Sequence, residues 1–179
     1  MEYLIWTDLE MTGLEPATDC ILEIATLVTN DDLEIVEIGP EIAIHQNDTV
    51  LENMSEWCIK QHGKSGLTEK VRNSKISLKE AEDQTLDFIK KYVKEKKAPL
   101  CGNSIHQDRR FLEKYMADFN NYLHYRNIDV SSLKILYELW YPKRGSFKKK
   151  ENHTALEDIK ESVAELKFYR DSLFPAVEK

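Results

Sequence analysis

The sequence predicts an α/β domain built on a mixed β-sheet of about five strands, opened by a hairpin and flanked by α-helices. Three observations predict it. Apolar, β-prone segments separated by turn residues fill the first 45 positions. From residue 77 onward, amphipathic helical patterns alternate with short apolar strands. Two Ser/Thr-x-x-Glu boxes, at Ser77 and Thr154, mark helix starts. Strands paired first, then helix alternating with strand, is the order of a mixed sheet covered by helices. At 179 residues the chain fits one domain, 1–179.

Taken in order, Tyr3 to Thr7 reads as a buried strand because it is apolar and β-prone. Met11 to Asp19, with Gly13 and Pro16, is loop chemistry. Ile21 to Thr29 and Leu33 to Ile38 form a hairpin about the turn Asn30-Asp31-Asp32. Pro40 interrupts, and Ile42 to His45 is a further strand or an extension of the third. The segment from Asp48 to Glu69 reads as irregular, with a short helix from Ser55 to Gln61. Ser77-x-x-Glu80 opens a helix that keeps Ala81, Thr85, Phe88, Ile89, Tyr92 and Val93 on one face.

Pro99 to Cys101 is a short strand, followed by a helix from about His106 to Phe119. Asn127 to Val130 is another strand, and Ser131 or Ser132 caps the helix that carries Leu133, Leu136, Leu139 and Trp140. A polar loop with Lys143, Arg144 and Lys148 to Lys150 leads to the Thr154-x-x-Glu157 box. The last helix carries Ala155, Ile159, Val163, Leu166 and Tyr169. The basic loop is either a solvated loop or an attractor of anions.

Composition narrows the function. Hydrophobic residues are 41% and charged residues 32%, which suits a folded domain and excludes a disordered one. No apolar run approaches the roughly 20 residues of a membrane span. The N-terminus shows no basic leader, and Cys20, Cys58 and Cys101 are scattered, so a reduced, cytoplasmic setting is expected. The net charge of −7 argues against grip on long nucleic acid through many phosphates. A nucleic-acid ligand should therefore be short, or metal ions should supply the positive charge.

Three short motifs carry chemistry. Residues two apart on a strand face the same way, so Asp8 and Glu10 present paired carboxylates. Like charges so placed repel unless a cation neutralises them, and hard ions such as Mg²⁺ take oxygen ligands. Asn103-x-x-x-x-Asp108 puts a carboxylate at a helix start, and His153-x-x-x-x-Asp158 puts a histidine and a carboxylate at another. Each has a plain alternative when taken singly: a solvated strand end, a helix-dipole partner, a surface histidine. Together they sit at strand ends and helix starts, where α/β folds place their sites.

That set resembles the three exonuclease motifs of the DEDD superfamily, in its histidine-bearing DEDDh branch. More closely, "IWTDLEMTGLEPATDCILEIATLVTN", "MSEWCIKQHGKSGLTEKVRNS", "PLCGNSIHQDRRFLEKYM", "YLHYRNIDVSSLKILYELWYP" and "HTALEDIKESVAELKFYR" resemble the oligoribonuclease family over nearly the whole chain. The resemblance implies a ribonuclease H-like fold, a homodimer, and 3′→5′ cleavage of very short RNA, chiefly dinucleotides, to 5′-mononucleotides. It implies two divalent cations, Mg²⁺ or Mn²⁺, held by Asp8, Glu10, Asp108 and Asp158, with His153 as general base. It further implies that Leu14 wedges between two bases and Trp57 stacks on one; on composition alone Trp57 reads as core. His62, Ser104, Arg126 and Ser131 would cap the 5′-phosphate, with Tyr125 and Arg126 reaching in from the partner subunit. Two rival readings are a DEDDh nuclease trimming longer RNA or DNA 3′ ends and a catalytically silent nucleotide-binding dimer. The first is disfavoured by the acidic charge, the second by the presence of all five catalytic residues.

Overall fold

A computed structural model describes residues 2–148 and 154–174. Strand β1 (Tyr3–Met11) is the pivot of a five-stranded sheet whose order is β3-β2-β1-β4-β5. Strand β2 (Ile21–Asn30) runs antiparallel to β1, and β3 (Ile35–Ala43) antiparallel to β2. Helices α1 (Asp48–Glu52), α2 (Glu56–Ser65), α3 (Leu67–Asn73) and α4 (Leu78–Lys90) follow. Strand β4 (Leu100–Gly102) then joins β1 in parallel, α5 (Ile105–Tyr115) and α6 (Ala117–Tyr122) cross over, and β5 (Asn127–Asp129) pairs in parallel with β4. Helices α7 (Val130–Trp140) and α8 (Ala155–Leu173) complete the described chain. This is the mixed, helix-flanked sheet the sequence predicts.

Strand parity decides what each face of the sheet carries. Ile5 and Leu9 of β1, with Ile24 and Val28 of β2, pack against Phe88 and Ile89 of α4 and Phe111 and Leu112 of α5. Leu4 and Trp6, with Ala25 and Leu27, pack against Tyr137 of α7 and Ile159, Val163 and Tyr169 of α8. Side chains alternate along a strand, so the even-numbered Asp8 and Glu10 turn toward the α8 face. In the β1–β2 register Asp8 stands opposite Ala25 and Glu10 opposite Glu23.

Several expected boundaries move. Strand β1 runs four residues past Thr7, so the acidic pair lies within the strand. Leu33 is not a strand residue: at φ 64 it closes the hairpin turn while its side chain enters the core. Pro40 does not end β3, because β3 is an edge strand and Pro40 sits where the register slips between Ala25 and Leu27. The segment expected to be irregular holds three helices, with Gly66 at φ 79 linking α2 to α3.

The single helix expected from His106 to Phe119 is broken at Met116, whose φ/ψ of −134/59 is not helical. The new N-terminus at α6 is capped by the buried Glu82, whose Oε1 accepts from the N–H groups of Asp118 (2.7 Å) and Phe119 (3.1 Å). The cap of α7 is Asp129, not Ser131 or Ser132. The capping box forms as expected at Ser77 and Glu80. At Thr154 it does not: Thr154 makes no side-chain cap bond, and Glu157 pairs with Lys160. Among the described residues no helix is long and apolar enough to cross a membrane.

Candidate metal centre and nucleotide site

Asp8 and Glu10 from β1 and Asp158 from the first turn of α8 meet on one side of the sheet. Each offers a carboxylate oxygen, and these oxygens lie within 4.8 Å of one another. Asp158 is placed there by its helix: its backbone N donates to Thr154 O at 2.9 Å. Asp108 approaches from α5. Pairing between β1 and β4 runs over Ile5 and Trp6, and beyond it the Asp108 carboxylate accepts from the Leu9 N–H at 3.0 Å. One Asp108 oxygen is thus fixed by the strand that carries the other two carboxylates.

The electrostatics of this centre are those of an anionic site short of positive charge. Burial pushes the Glu10 carboxyl up to about 7, and the neighbouring charges of Asp158, Glu23 and Asp108 push the same way. Burial also raises Asp108, against the lowering effect of the backbone N–H donors it accepts from. Carboxyls that resist ionisation near neutrality are what a divalent cation would stabilise as carboxylates. Among the described residues the donor set is all oxygen, which suits a hard divalent cation.

His62 of α2 lies beneath the site. Its ring is 2% exposed. Nε2 lies 3.0 Å from Met11 O, and Nδ1 lies 3.8 Å from Glu10 Oε2. A carbonyl only accepts, so Nε2 carries the proton, and burial holds the ring below the usual histidine pKa. In this arrangement His62 braces the end of β1 beside Glu10. His153 lies outside the described residues.

The remaining expected site residues fall into three places. Leu14 is 69% exposed at the tip of the β1–β2 loop. Its carbonyl accepts from Gln107 Nε2 and, at 3.4 Å, from Arg110, so α5 holds the loop. Asp19 ties the loop internally, accepting from Thr12 Oγ1 (3.0 Å) and Glu15 N (2.9 Å). Trp57, on the same helix as His62, is also 69% exposed, which overturns the core reading of that residue. Ser104 and Ser131 meet with hydroxyls 3.2 Å apart. Asp129 gathers them, accepting from Ser104 N (2.9 Å) and Ser131 N (3.0 Å). Tyr125 and Arg126 occupy the loop before β5. Tyr125 is 74% exposed, stacks on His124 at 4.4 Å, and has the Arg126 guanidinium 5.5 Å from its ring.

The sequence did not single out Glu23, Asp129, Gln107 or the Ser162–Glu165 pair. Asn103 Nδ2 donates to Ser162 Oγ (2.8 Å) and Glu165 Oε2 (3.0 Å), and so ties the end of β4 to α8. Asn103 stood in a recognised motif, but its partners lie about 60 positions away and carry no local signal.

The RNase_T exonuclease family model matches residues 5–166. The chain is 56% identical over 168 residues to the oligoribonuclease of Pseudomonas savastanoi pv. phaseolicola, covering 94% of both chains. The chain belongs to the oligoribonuclease family. The oligoribonucleases of Pseudoalteromonas atlantica (55% over 172 residues, 96% of this chain and 95% of that one) and Haemophilus ducreyi (54% over 171 residues, 95% and 93%) are similarly close. Among solved structures, exonuclease I of Methylocaldum szegediense superposes with a TM-score of 0.69 at 15% identity, covering 97% of this chain and 41% of that one. The zinc-bound complex of E. coli exonuclease I with single-stranded DNA gives 0.70 at 13% identity, with the same coverage. At that identity the likeness is one of fold, and this chain spans about two fifths of the exonuclease I chain.

Proposed function

We propose that this chain is a divalent-metal-dependent 3′→5′ exoribonuclease of the oligoribonuclease family whose preferred substrates are the shortest RNAs, dinucleotides above all. The observation that carries the reading is the joining of Asp8, Glu10 and Asp158 within 4.8 Å, with Asp108 fixed to the same strand. Asp8, Glu10 and Asp158 would hold the cation that activates the nucleophile, and Asp108, with Asp8, would hold the one that serves the leaving group. Bound divalent cations lower the pKa of a water nucleophile and neutralise charge on the phosphoryl oxygens. His153 would take the proton of the water that attacks phosphorus, the P–O3′ bond would break with the leaving 3′-oxygen taking up a proton, and a 5′-mononucleotide would be released.

The length limit rests on the rim. Leu14 and Trp57 are large apolar side chains exposed to solvent, which supports the reading that Leu14 wedges between two bases and Trp57 stacks on one. Aromatic stacking contributes ~1–3 kcal/mol per base without regard to sequence. His62 and the Ser104–Ser131 hydroxyl pair are proposed to receive the 5′-phosphate. Tyr125 and Arg126 are proposed to close the cap from a second copy of the chain. The exposure of Tyr125, and of Ile135, Leu139 and Trp140 on α7, supports a dimer that covers these groups. A closed cap also fits a chain of net charge −7, because affinity need not come from a basic track.

The test is a series of 5′-labelled RNAs of two to ten nucleotides with Mg²⁺ or Mn²⁺. Rapid loss of the dinucleotide with slow attack on the rest is expected. Equal rates at every length would refute the length limit.

A further inference from the structure

A run of hydrogen bonds leads from α8 to the Ser104–Ser131 pair, and Asn103 is its middle link. Asp158, Ser162 and Glu165 follow one another at helical spacing and share a face of α8. Ser162 is 4% exposed and Glu165 wholly buried. Polar groups so buried are retained where partners satisfy them. The Ser162 hydroxyl donates to the Asp158 carbonyl at 2.8 Å. The Glu165 carboxylate accepts from Tyr169 Oη at 3.0 Å and from Asn103 Nδ2 at 3.0 Å.

These contacts decide which way the Asn103 amide faces. A carboxylate has no proton to give, and Ser162 directs its one proton at a carbonyl, so toward Asn103 both can only accept. Both therefore face the amide nitrogen and take its two protons. The amide oxygen is left on the opposite side, where it accepts from Ser131 Oγ at 3.1 Å. With its proton directed at Asn103, Ser131 turns its lone pairs to Ser104, whose backbone N lies 2.9 Å away and whose hydroxyl lies 3.2 Å away. Ser104 stands at φ 49, a left-handed conformation that residues with a side chain rarely hold. Such a conformation persists where its surroundings fix it. Every link from the Asp158 carbonyl through Ser162, Asn103 and Ser131 to the Ser104 hydroxyl is a hydrogen bond of 3.2 Å or less.

We infer that Asn103 is a positioning residue for the substrate: it holds the Ser104–Ser131 hydroxyl pair at a fixed spacing from the turn of α8 that carries Asp158. Recognition of the RNA 5′ end is thereby tied to the place of cleavage. Glu165 and Ser162 act one step behind, by orienting the Asn103 amide. This inference rests on the 5′-phosphate and metal-centre readings above.

The test compares a 5′-phosphorylated dinucleotide with the same dinucleotide bearing a 5′-hydroxyl. The full chain is used as wild type, Asn103→Ala, Glu165→Gln and Glu165→Leu. Hydrogen bonds to a charged group are among the stronger ones, so misplaced hydroxyls should cost the phosphorylated substrate roughly 10-fold in kcat/KM relative to the other in Asn103→Ala, chiefly through KM. Mn²⁺ affinity, from calorimetry without RNA, should stay near wild type, because no carboxylate of the cluster is touched. Glu165→Gln keeps a carbonyl oxygen for the Asn103 nitrogen and should keep the wild-type preference for the 5′-phosphate. Glu165→Leu lets the amide turn and should weaken that preference. An unchanged preference in Asn103→Ala would overturn the inference. So would an equal loss on both substrates, the mark of a merely structural part, or a loss of Mn²⁺ binding. If Asn103→Ala does not fold, Glu165→Leu decides: a weakened preference supports the inference and an unchanged one overturns it. A wild type that treats the two dinucleotides alike would instead remove the 5′-phosphate subsite, and one that binds no Mn²⁺ would remove the metal centre.

Discussion

Replacing Glu10 by Gln should stabilise the metal-free protein at pH 8 and leave it nearly unchanged at pH 5. In the fold, burial and three neighbouring carboxylates hold the Glu10 carboxyl at about 7, against 4.5 as its ordinary value. A raised acid binds a proton in the folded state that the unfolded chain has released. Its folding penalty is therefore absent below about pH 4.5 and complete above about pH 7. At ~1.4 kcal/mol per pKa unit, the full rise corresponds to about 3 kcal/mol as an upper bound. Partial solvent access and coupling to Asp108 and Asp158 reduce the expected effect to about 1–2 kcal/mol. Gln has nearly the same shape and never ionises, so it escapes the penalty. For a chain of this size that is a rise of roughly 2–8 °C in Tm. Thermal unfolding in EDTA at pH 5 and pH 8 measures it. Adding Mg²⁺ should then reverse the order, because a ligand that binds only the folded state stabilises the wild type more than a variant lacking one of its carboxylates. A Glu10→Gln protein no more stable than wild type at pH 8 without metal, or equally stabilised by Mg²⁺, would refute the reasoning.

Two other perturbations separate binding from folding. Trp57→Ala removes an exposed ring, so Tm should hold within about 1 °C, while the dinucleotide KM rises on the order of 5–100-fold for the lost stacking. Steady-state kinetics and a thermal melt on the same sample check both. Gly13→Ala should disturb the loop that carries Leu14, because a Cβ there would meet Asp19 Oδ2 at 2.5 Å. Asp19 must yield its contacts with Thr12 and Glu15. A rise in KM with little change in metal dependence is expected, and an unaltered KM would show that Asp19 does not hold the loop for the substrate.

What the sequence disclosed followed from local periodicity. The alternation in β1 placed Asp8 and Glu10 on one face, and the 3.6-residue pattern of Ala155, Ile159, Val163, Leu166 and Tyr169 placed α8 on the sheet. The capping box at Ser77 needed only four consecutive residues and formed as expected. The misses have other causes. The break at Met116 goes with Glu82, some 36 positions from Asp118, offering its carboxylate to the start of α6, and no window along the chain contains both partners. The failed box at Thr154 goes with Glu157 pairing with Lys160 instead of reaching back to the cap. Trp57 misled for the opposite reason. Bulk and hydrophobicity argue for burial, and nothing local tells a core tryptophan from one held in solvent for a ligand.

The central claim is that this one cluster of carboxylates holds the cations for RNA cleavage. Anomalous diffraction at the manganese edge, from crystals of the wild-type chain grown with Mn²⁺ and a non-hydrolysable dinucleotide, tests it most directly. The account predicts two peaks per chain within about 4 Å of each other, sharing Asp8 and flanked by Glu10, Asp108 and Asp158, with the scissile phosphate at the peaks and the bases at Leu14 and Trp57. Peaks elsewhere on the surface, or none at Asp8 with the dinucleotide bound, would contradict it.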